Sequence, residues 1–175
     1  AELYPYPKQK TEYTGVPVQV DFQPVSHADQ AQLKSEIGIP VKSRLVFVTG
    51  GGLGAARLND AIVEIAPKLL GKHQDVYIVQ SAGHANYKKL VSQYSELDQS
   101  IQQRIIVKDF ITNLHAYSGA ADIVVMRASA TSMAEMAVQG KACILVPNPL
   151  LTGGHQTKNA TAFAKEDAAC VVAES

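Results

Sequence analysis

The stretch from residue 122 to residue 139 carries the residue types best suited to binding a ligand. Its apolar start, residues 123–126, predicts a short buried strand, and small and hydroxylated residues follow before a helix. A turn between a strand and a helix directs free backbone N–H groups at one point, which attracts phosphate or another anion. In open α/β sheets such turns lie where ligands bind. Glu135, expected in the first turn of the helix, could accept hydrogen bonds there from the neutral hydroxyls of a ligand.

Glu135 also has a purely structural interpretation. Ser132 and Glu135 fit the pattern S-x-x-E, the capping box, in which the Glu side chain bonds the backbone N–H at the start of a helix. Taken alone, the stretch favours this capping role, and the ligand role stays open beside it.

A glycine-rich turn at residues 49–54 is the second candidate for ligand contact. Glycines let the backbone approach a ligand, and the N-terminus of the following helix suits a phosphate. Gly50, Gly52 and Ala55 also fit the dinucleotide pattern G-x-G-x-x-A, but Gln80 and Ser81 stand where that pattern requires an acidic residue. No G-K-[ST] follows, so the turn is not a P-loop, and a plain tight turn remains an alternative.

The third candidate is the start of a helix at residue 155. His155, Gln156 and Asn159 lie three or four residues apart, so one helix face gathers an imidazole and two amides. These uncharged donors and acceptors suit sugar hydroxyls, although a lone His at the start of a helix is more often a solvated cap. No second metal ligand stands at a suitable spacing, so we predict no metal site. No catalytic constellation is recognisable, and the sequence describes a binding domain rather than an active site.

Composition limits the class of protein. The chain has 175 residues, of which 46% are hydrophobic and 18% charged, as expected for one domain with a core. Sixteen basic residues balance sixteen acidic ones without a basic stripe, so no nucleic-acid partner is predicted. Cys143 and Cys170 each lie in an apolar run and are predicted to be reduced core residues. No apolar run approaches the ~20 residues of a membrane span.

Strands and helices alternate along the chain. Apolar strands are predicted at residues 44–48, 76–79, 104–107, 123–126, 142–146 and 169–172. Helices are predicted at 55–70, 84–94, 114–121 and 155–165, together with a short capped helix after Ser26 and the helix carrying Glu135. Leu58, Ile62, Ile65 and Leu69 should form the apolar face of the first long helix, and Met133, Met136 and Ala137 that of the Glu135 helix.

This order predicts the fold class α/β, a doubly wound, Rossmann-like parallel sheet covered on both faces. Residues 1–25, rich in Pro, Tyr and Val, are predicted to be an extended inter-domain linker, and residues 26–175 the ligand-binding domain. We expect the chain to be part of a longer protein.

Four blocks of sequence resemble the C-terminal half of MurG-type glycosyltransferases, the GT-B enzymes of glycosyltransferase family 28 that act in lipid II synthesis. The blocks are T-G-V-P-V at residues 14–18, V-T-G-G-G-L-G-A at 48–55, R-A-S-A-T-S-M-A-E at 127–135, and residues 147–160 with H-Q-T-K-N-A. The resemblance extends over most of the chain from Thr14 onward, and the last two blocks, at their correct separation, are the specific ones.

The resemblance implies one half of a GT-B fold and a donor site for UDP-N-acetylglucosamine or UDP. It implies that the glycine loop lies near the diphosphate and that backbone near Phe110 and Ile111 contacts uracil. Glu135 would accept hydrogen bonds from the ribose, and His155 and Gln156 would lie near the sugar. The donor-site residues so predicted are Gly51, Gly52, Leu53, Gly54, Phe110, Ile111, Arg127, Ser129, Ala130, Thr131, Glu135, His155, Gln156 and Asn159.

The resemblance further implies a hexosyltransferase that moves N-acetylglucosamine to a lipid-linked acceptor in peptidoglycan biosynthesis, without a cofactor. The parent protein would associate peripherally with the cytoplasmic face of the membrane. The acceptor site and the catalytic base belong to the N-terminal half in that family, so we expect residues 1–175 alone to be inactive.

Three positions depart from the family pattern. Gln19 stands where the family often has a phosphate-binding Arg, Gly52 where it often has Ser, and Ser129 where it usually has Gly. The first two departures weaken the expected phosphate contacts. A transferase with another sugar nucleotide, an Alg13-like subunit and a noncatalytic nucleotide-binding module therefore stay as alternatives, with a dinucleotide-dependent oxidoreductase the least favoured.

Overall fold

A computed structural model describes residues 6–12, 14–51, 55–149 and 154–174 of the chain. The helices are α1 (His27–Glu36), α2 (Ala56–Lys72), α3 (Tyr87–Ser95), α4 (Gln99–Gln102), α5 (Leu114–Ala120), α6 (Ala130–Gln139) and α7 (His155–Lys165). The strands are β1 (Arg44–Thr49), β2 (Val76–Ser81), β3 (Ile105–Lys108), β4 (Ile123–Met126), β5 (Ala142–Leu145) and β6 (Cys170–Val171).

The strands form one parallel sheet in the order β3-β2-β1-β4-β5-β6. The chain winds outward from β1 to β3 and then returns to the other side of β1 with β4. That reversal is the topological switch point of a doubly wound sheet, and the crevice outside it is where such folds bind ligands. The predicted fold class is therefore confirmed.

Alternate residues of the central strands supply two separate cores. In β1, Phe47 packs in the core beneath α1, α5, α6 and α7, whereas Val48 packs in the core beneath α2, α3 and α4. Successive strand side chains point to opposite faces, so a strand covered on both sides must be apolar throughout. This burial on both faces explains why the strand sequences are continuously apolar.

Several local predictions were wrong. In α2 the buried face is Leu58, Asn59, Ile62, Ala66 and Leu70, and Ile65 is half exposed. Ala137 is exposed rather than packed with Met133 and Met136. Helix α3 begins at Tyr87 rather than residue 84, and the short α4 was not predicted. Cys143 is buried, which raises the pKa of its thiol to about 11, but Cys170 is exposed on the edge strand β6; both are free.

The N-terminal segment packs partly against the domain. Lys8–Lys10 form a turn of 3-10 helix within the segment predicted to be extended. Phe22 is buried in the same core as Phe47. Ser26 caps α1 in a reciprocal capping box with Asp29, as predicted. The division into a linker at 1–25 and a domain at 26–175 stays a prediction.

Candidate functional site

The sheet order brings two of the candidate loops side by side. Thr49, the last residue of β1, is in register with Met126, the last residue of β4. The glycine loop after β1 and the turn after β4 therefore leave the same edge of the sheet as neighbours. The loop after β5, which leads into α7, is next in line because β5 pairs with β4.

The described part of the glycine loop ends at a glycine with positive φ. Gly51 has φ +79°, a left-handed conformation that favours glycine, and its N–H donates to Thr49 Oγ1 at 3.3 Å. Gly52, Leu53 and Gly54 lie outside the described residues, so their predicted role near the diphosphate stays a prediction. Helix α2 begins directly after them, at Ala56.

Helix α6 begins earlier than the capping-box interpretation requires. Its N-cap is Ser129, whose Oγ accepts a hydrogen bond from Ser132 N at 3.3 Å, and Ala130 is the first helical residue. The N3 position is therefore Ser132, and Glu135 lies in the second turn rather than the first. A capping box needs its Glu at N3, so the capping interpretation of Glu135 is wrong. Ala130 and Thr131 occupy the first turn, beside the sheet edge.

Glu135 is a largely buried carboxylate that has no polar partner in the described part of the chain. It is 7% exposed, and within the described ranges its side chain has no hydrogen bond and no ion pair. Burial away from water raises the pKa of this carboxyl, and nothing in the described structure opposes the shift. A largely buried carboxylate with a raised pKa in an α/β domain is a candidate for contact with a ligand.

The neighbours of α6 indicate which way Glu135 faces. One turn later on the same helix face, Gln139 Nε2 donates to His115 O at 2.8 Å, and Ser118 Oγ donates to Gln139 Oε1 at 2.6 Å. That face therefore packs on α5. Both helices run from the carboxyl edge of the sheet, so Glu135 lies toward the start of α5 and the loop containing Ile111.

An exposed aromatic cluster lies after β2 and β3. The Phe110 ring is 49% exposed and stacks on His84, with ring centroids 5.5 Å apart and an angle of 17° between the planes. Asp109 joins the two loops, because it accepts from Phe110 N at 2.7 Å and its Oδ2 lies 3.3 Å from His84 Nδ1. Ile111 is buried. Sequence reasoning missed His84; the available signal was its place after a strand that ends at the same edge.

Arg127 is engaged by a residue that sequence reasoning also missed. Its Nη1 and Nη2 donate to the two carboxylate oxygens of Glu174 at 2.8 and 2.9 Å, and Nη1 also donates to Val146 O at 3.0 Å. The pair is largely buried, with side chains 10% and 9% exposed. The Arg127 guanidinium holds the pKa of Glu174 below its usual range. The structure thus places Arg127 at the predicted edge, bound to a carboxylate.

The residues of α7 divide into two groups. His155 is exposed at the first position of the helix. Gln156 Oε1 accepts from Asn148 N at 2.9 Å, and Asn159 Nδ2 donates to Ala128 O at 3.1 Å. The two amides therefore fasten α7 to the loops after β4 and β5, which leaves His155 as the freest of the three toward a ligand.

The end of β2 is unsuited to binding a dinucleotide ribose. Gln80 is fully buried; it receives the hydroxyl hydrogen of Tyr94 at 2.5 Å and donates to Asn59 Oδ1 at 3.0 Å. Asn59 in turn donates to Ala82 O at 2.9 Å. Both polar groups of the Gln80 amide are thus occupied within the protein. A buried amide bonded within the protein does not replace the acidic residue that the dinucleotide pattern requires.

The described residues hold neither a metal-binding cluster nor a membrane-spanning helix. Within them, no group of three or more His, Cys, Asp or Glu side chains is placed to hold a metal ion. The same residues form no helix that is both long and apolar enough to cross a membrane.

The matching family model and the curated relatives are all those of glycosyltransferases. The family described as glycosyltransferase family 28 C-terminal domain matches residues 45–175. Two curated relatives bear the name UDP-N-acetylglucosamine--N-acetylmuramyl-(pentapeptide) pyrophosphoryl-undecaprenol N-acetylglucosamine transferase. The one from Halalkalibacterium halodurans is 34% identical over 171 residues, 97% of this chain and 45% of that protein. The one from Caldicellulosiruptor saccharolyticus is 35% identical over 166 residues, 95% of this chain and 43% of that protein.

Solved structures share the fold. The crystal structure of Acinetobacter baumannii MurG matches with a TM-score of 0.68 at 23% identity, covering 91% of this chain and 45% of that one. Anabaena Alr3699/HepE, solved in complex with UDP and glucose, matches with a TM-score of 0.57 at 17% identity, covering 92% and 42%. The solution structure of ALG13 matches with a TM-score of 0.57 at 16% identity, covering 77% and 81%.

The domain thus has the fold of one half of a GT-B glycosyltransferase, and it spans a little under half the length of the curated relatives that it matches. The family match covers most of the chain, including β1, β4, α6 and α7, which form the candidate site. The chain belongs to glycosyltransferase family 28, whose C-terminal domain it contains.

Proposed function

We propose that this chain is the donor-binding domain of a transferase that moves N-acetylglucosamine from UDP-N-acetylglucosamine to a lipid-linked acceptor. The name shared by its curated relatives supplies the reaction. The observation that carries the proposal for this chain is Glu135, a largely buried carboxylate on α6 that has no hydrogen-bond or ion-pair partner among the described residues. Ribose hydroxyls are neutral donors that would satisfy it without introducing a second buried charge.

The surrounding edge suggests one orientation for the donor. Uracil would lie by the loop of Phe110 and Ile111, because Glu135 faces that loop and uracil is joined to the ribose. The diphosphate would then lie toward the glycine loop, at the N-terminus of α2, where free backbone N–H groups favour an anion. The sugar would extend toward His155. Each position agrees with the family-based prediction for these residues.

In this proposal the chain binds and orients UDP as the leaving group of the transfer. Backbone N–H groups at the sheet edge would stabilise negative charge that develops on the diphosphate as the bond to the sugar breaks. The acceptor site and the catalytic base are assigned to a part of the protein outside this chain. A lipid-linked acceptor would place that protein peripherally at the cytoplasmic membrane face.

Calorimetric titration of the protein with UDP, ADP and NAD tests the proposal. We expect UDP to bind more tightly than ADP or NAD, yet weakly, because Gln19 and Gly52 remove two expected phosphate contacts. Each lost charge-assisted hydrogen bond costs roughly 1.5–3 kcal/mol, about ten- to a hundredfold in affinity. Binding of NAD without binding of UDP would contradict the proposal.

A second experiment tests the division of labour. The purified chain should not transfer N-acetylglucosamine from UDP-N-acetylglucosamine to a lipid-linked acceptor, because GT-B chemistry needs groups from both halves of the cleft. Turnover by residues 1–175 alone would show that a catalytic group is present in this chain.

A further inference from the structure

The ion pair between Arg127 and Glu174 has the geometry of anion recognition. Two parallel N–H···O bonds of 2.8 and 2.9 Å join the guanidinium fork to one carboxylate. Arg makes the same bidentate contact with phosphate, since both anions present two oxygens at a matching spacing. The Glu174 carboxylate therefore occupies the position from which a ligand phosphate would contact Arg127.

A second arginine contributes to the electrostatics of the same carboxylate. The positive charge of Arg57 contributes, after that of Arg127, to holding the pKa of Glu174 below its usual range. Arg57 is the second residue of α2, the helix that begins directly after the glycine loop. Glu174 thus pairs with Arg127 and is influenced electrostatically by Arg57, a residue of the helix that follows the proposed diphosphate site.

We propose that Glu174 is a specificity-determining residue that competes with ligand phosphate for Arg127. This inference rests on the proposed function, because it concerns the diphosphate end of the same site. A phosphate-bearing ligand gains Arg127 only when the Glu174 carboxylate turns away, so the pair lowers the contribution of phosphate to affinity. A ligand without phosphate leaves the pair intact.

The two partners are held unequally, which decides which of them moves. Arg127 follows β4 in the middle of the sheet and is also bonded to Val146 O at 3.0 Å. Glu174 lies beyond β6, a two-residue edge strand, and the last backbone bond before it joins Val172 N to Leu145 O at 2.9 Å. Among the described residues the Glu174 side chain is bonded only to Arg127, so its rotation breaks that pair alone, whereas rotation of Arg127 also breaks the bond to Val146 O.

The test compares ligands that differ in phosphate content. Calorimetry of the wild-type protein and Glu174→Gln with uridine, UMP, UDP and inorganic pyrophosphate measures how affinity depends on phosphate. We expect Glu174→Gln to bind UDP and pyrophosphate about tenfold more tightly, the value of one charge-assisted bond partly offset by the retained amide contact. Uridine affinity should change less than about twofold.

Glu64→Gln is the matched control, because it removes the same charge from an exposed position on α2. Its UDP and pyrophosphate affinities should stay at the wild-type values. An equal change for uridine and UDP in Glu174→Gln, or no gain for UDP and pyrophosphate, would overturn the inference and assign Glu174 a structural role.

A measurement on the wild-type protein decides the question if Glu174→Gln does not fold. Hydrogen exchange of the backbone amides at residues 173 and 174 should accelerate on saturation with pyrophosphate and stay unchanged with uridine. Slower or unchanged exchange with pyrophosphate would overturn the inference. The pyrophosphate results do not depend on the nucleoside, so failure of UDP binding would contradict the proposed function without deciding the role of Glu174.

Discussion

Two carboxylates at the same edge of the sheet have opposite environments. Glu135 is 7% exposed and has no hydrogen-bond or ion-pair partner among the described residues, and burial raises its pKa. Glu174 has a side chain that is 9% exposed, but both its oxygens are bonded to Arg127, and its pKa is lowered. Burial alone therefore does not identify a ligand-binding carboxylate. The presence or absence of a protein partner separates the two.

The comparison extends to the other polar groups of the edge. Gln80 uses both amide atoms in bonds with Asn59 and Tyr94, Gln156 accepts from a backbone N–H, and Asn159 donates to a backbone carbonyl. These groups resemble Glu174, because the protein already supplies their partners. Glu135 differs from all of them, which makes it the strongest candidate for a contact completed by a ligand.

The largest expected effect is on stability, when the ion pair between Arg127 and Glu174 is broken. Replacing Arg127 with Ala should lower the free energy of unfolding by about 3 kcal/mol, the usual cost of breaking a largely buried ion pair from one side. It also leaves Val146 O without the hydrogen bond that Arg127 supplies. Urea denaturation of the variant and the wild-type protein measures the difference.

Arg44→Ala provides the control for that experiment. Arg44 and Asp75 also form a bidentate pair, but their side chains are 54% and 52% exposed. An exposed pair contributes at most about 1 kcal/mol, so this variant should unfold almost as the wild type does. Equal losses in the two variants would contradict the distinction between buried and exposed pairs.

The unpartnered carboxylate should affect binding rather than stability. Glu135→Gln replaces two acceptor oxygens by one and turns a donor toward the ligand, so UDP binding should weaken by about 1–3 kcal/mol in calorimetry. The melting temperature should stay the same or rise, because no protein contact is lost. Uracil, which lacks the ribose, serves as the ligand control and should bind both proteins alike.

The pH dependence of stability should separate the two residues further. The pKa of Glu135 is raised in the folded protein, so its penalty appears as pH rises above the ordinary value of 4.5. Glu135→Gln should therefore gain stability relative to wild type across that rise, and the two should converge at lower pH. Chemical denaturation between acidic and neutral pH measures this difference.

Glu174 should behave in the opposite direction. Its pKa is lowered, so its stabilising contribution is complete above the ordinary value of 4.5 and is lost as pH falls through the lower folded value. The advantage of wild type over Glu174→Gln should thus shrink in acid. The same trend with pH for both carboxylates would show that their environments do not differ as described.

Much of the fold was predictable because it depends on patterns that are local in sequence. Runs such as 44–48 and 123–126 had to be buried on both faces, and their alternation with helices implied a parallel sheet. The buried face of α2 was harder to predict. Ile65 is apolar but half exposed, whereas Ala66 and the polar Asn59 are buried, so hydrophobicity alone misjudged the buried face.

The candidate site was only partly predictable for a related reason. Ser129 and Ser132 are both residue types that cap helices well, and the sequence does not distinguish between them. In the structure the N-cap is Ser129, so Glu135 lies in the second turn of α6. The partnership of Arg127 with Glu174 joins residues 47 positions apart in the chain. Such a contact depends on how β4, β5 and β6 are ordered, which no local pattern specifies.

The central claim, that Glu135 binds the ribose, is tested most directly by a thermodynamic cycle. Calorimetry would compare wild type and Glu135→Gln with UDP, 2′-deoxy-UDP and 3′-deoxy-UDP. If the carboxylate accepts from a ribose hydroxyl, removing that hydroxyl and changing Glu135 should be coupled by about 1 kcal/mol or more for at least one analogue. Additivity within about 0.3 kcal/mol for both analogues would contradict the claim.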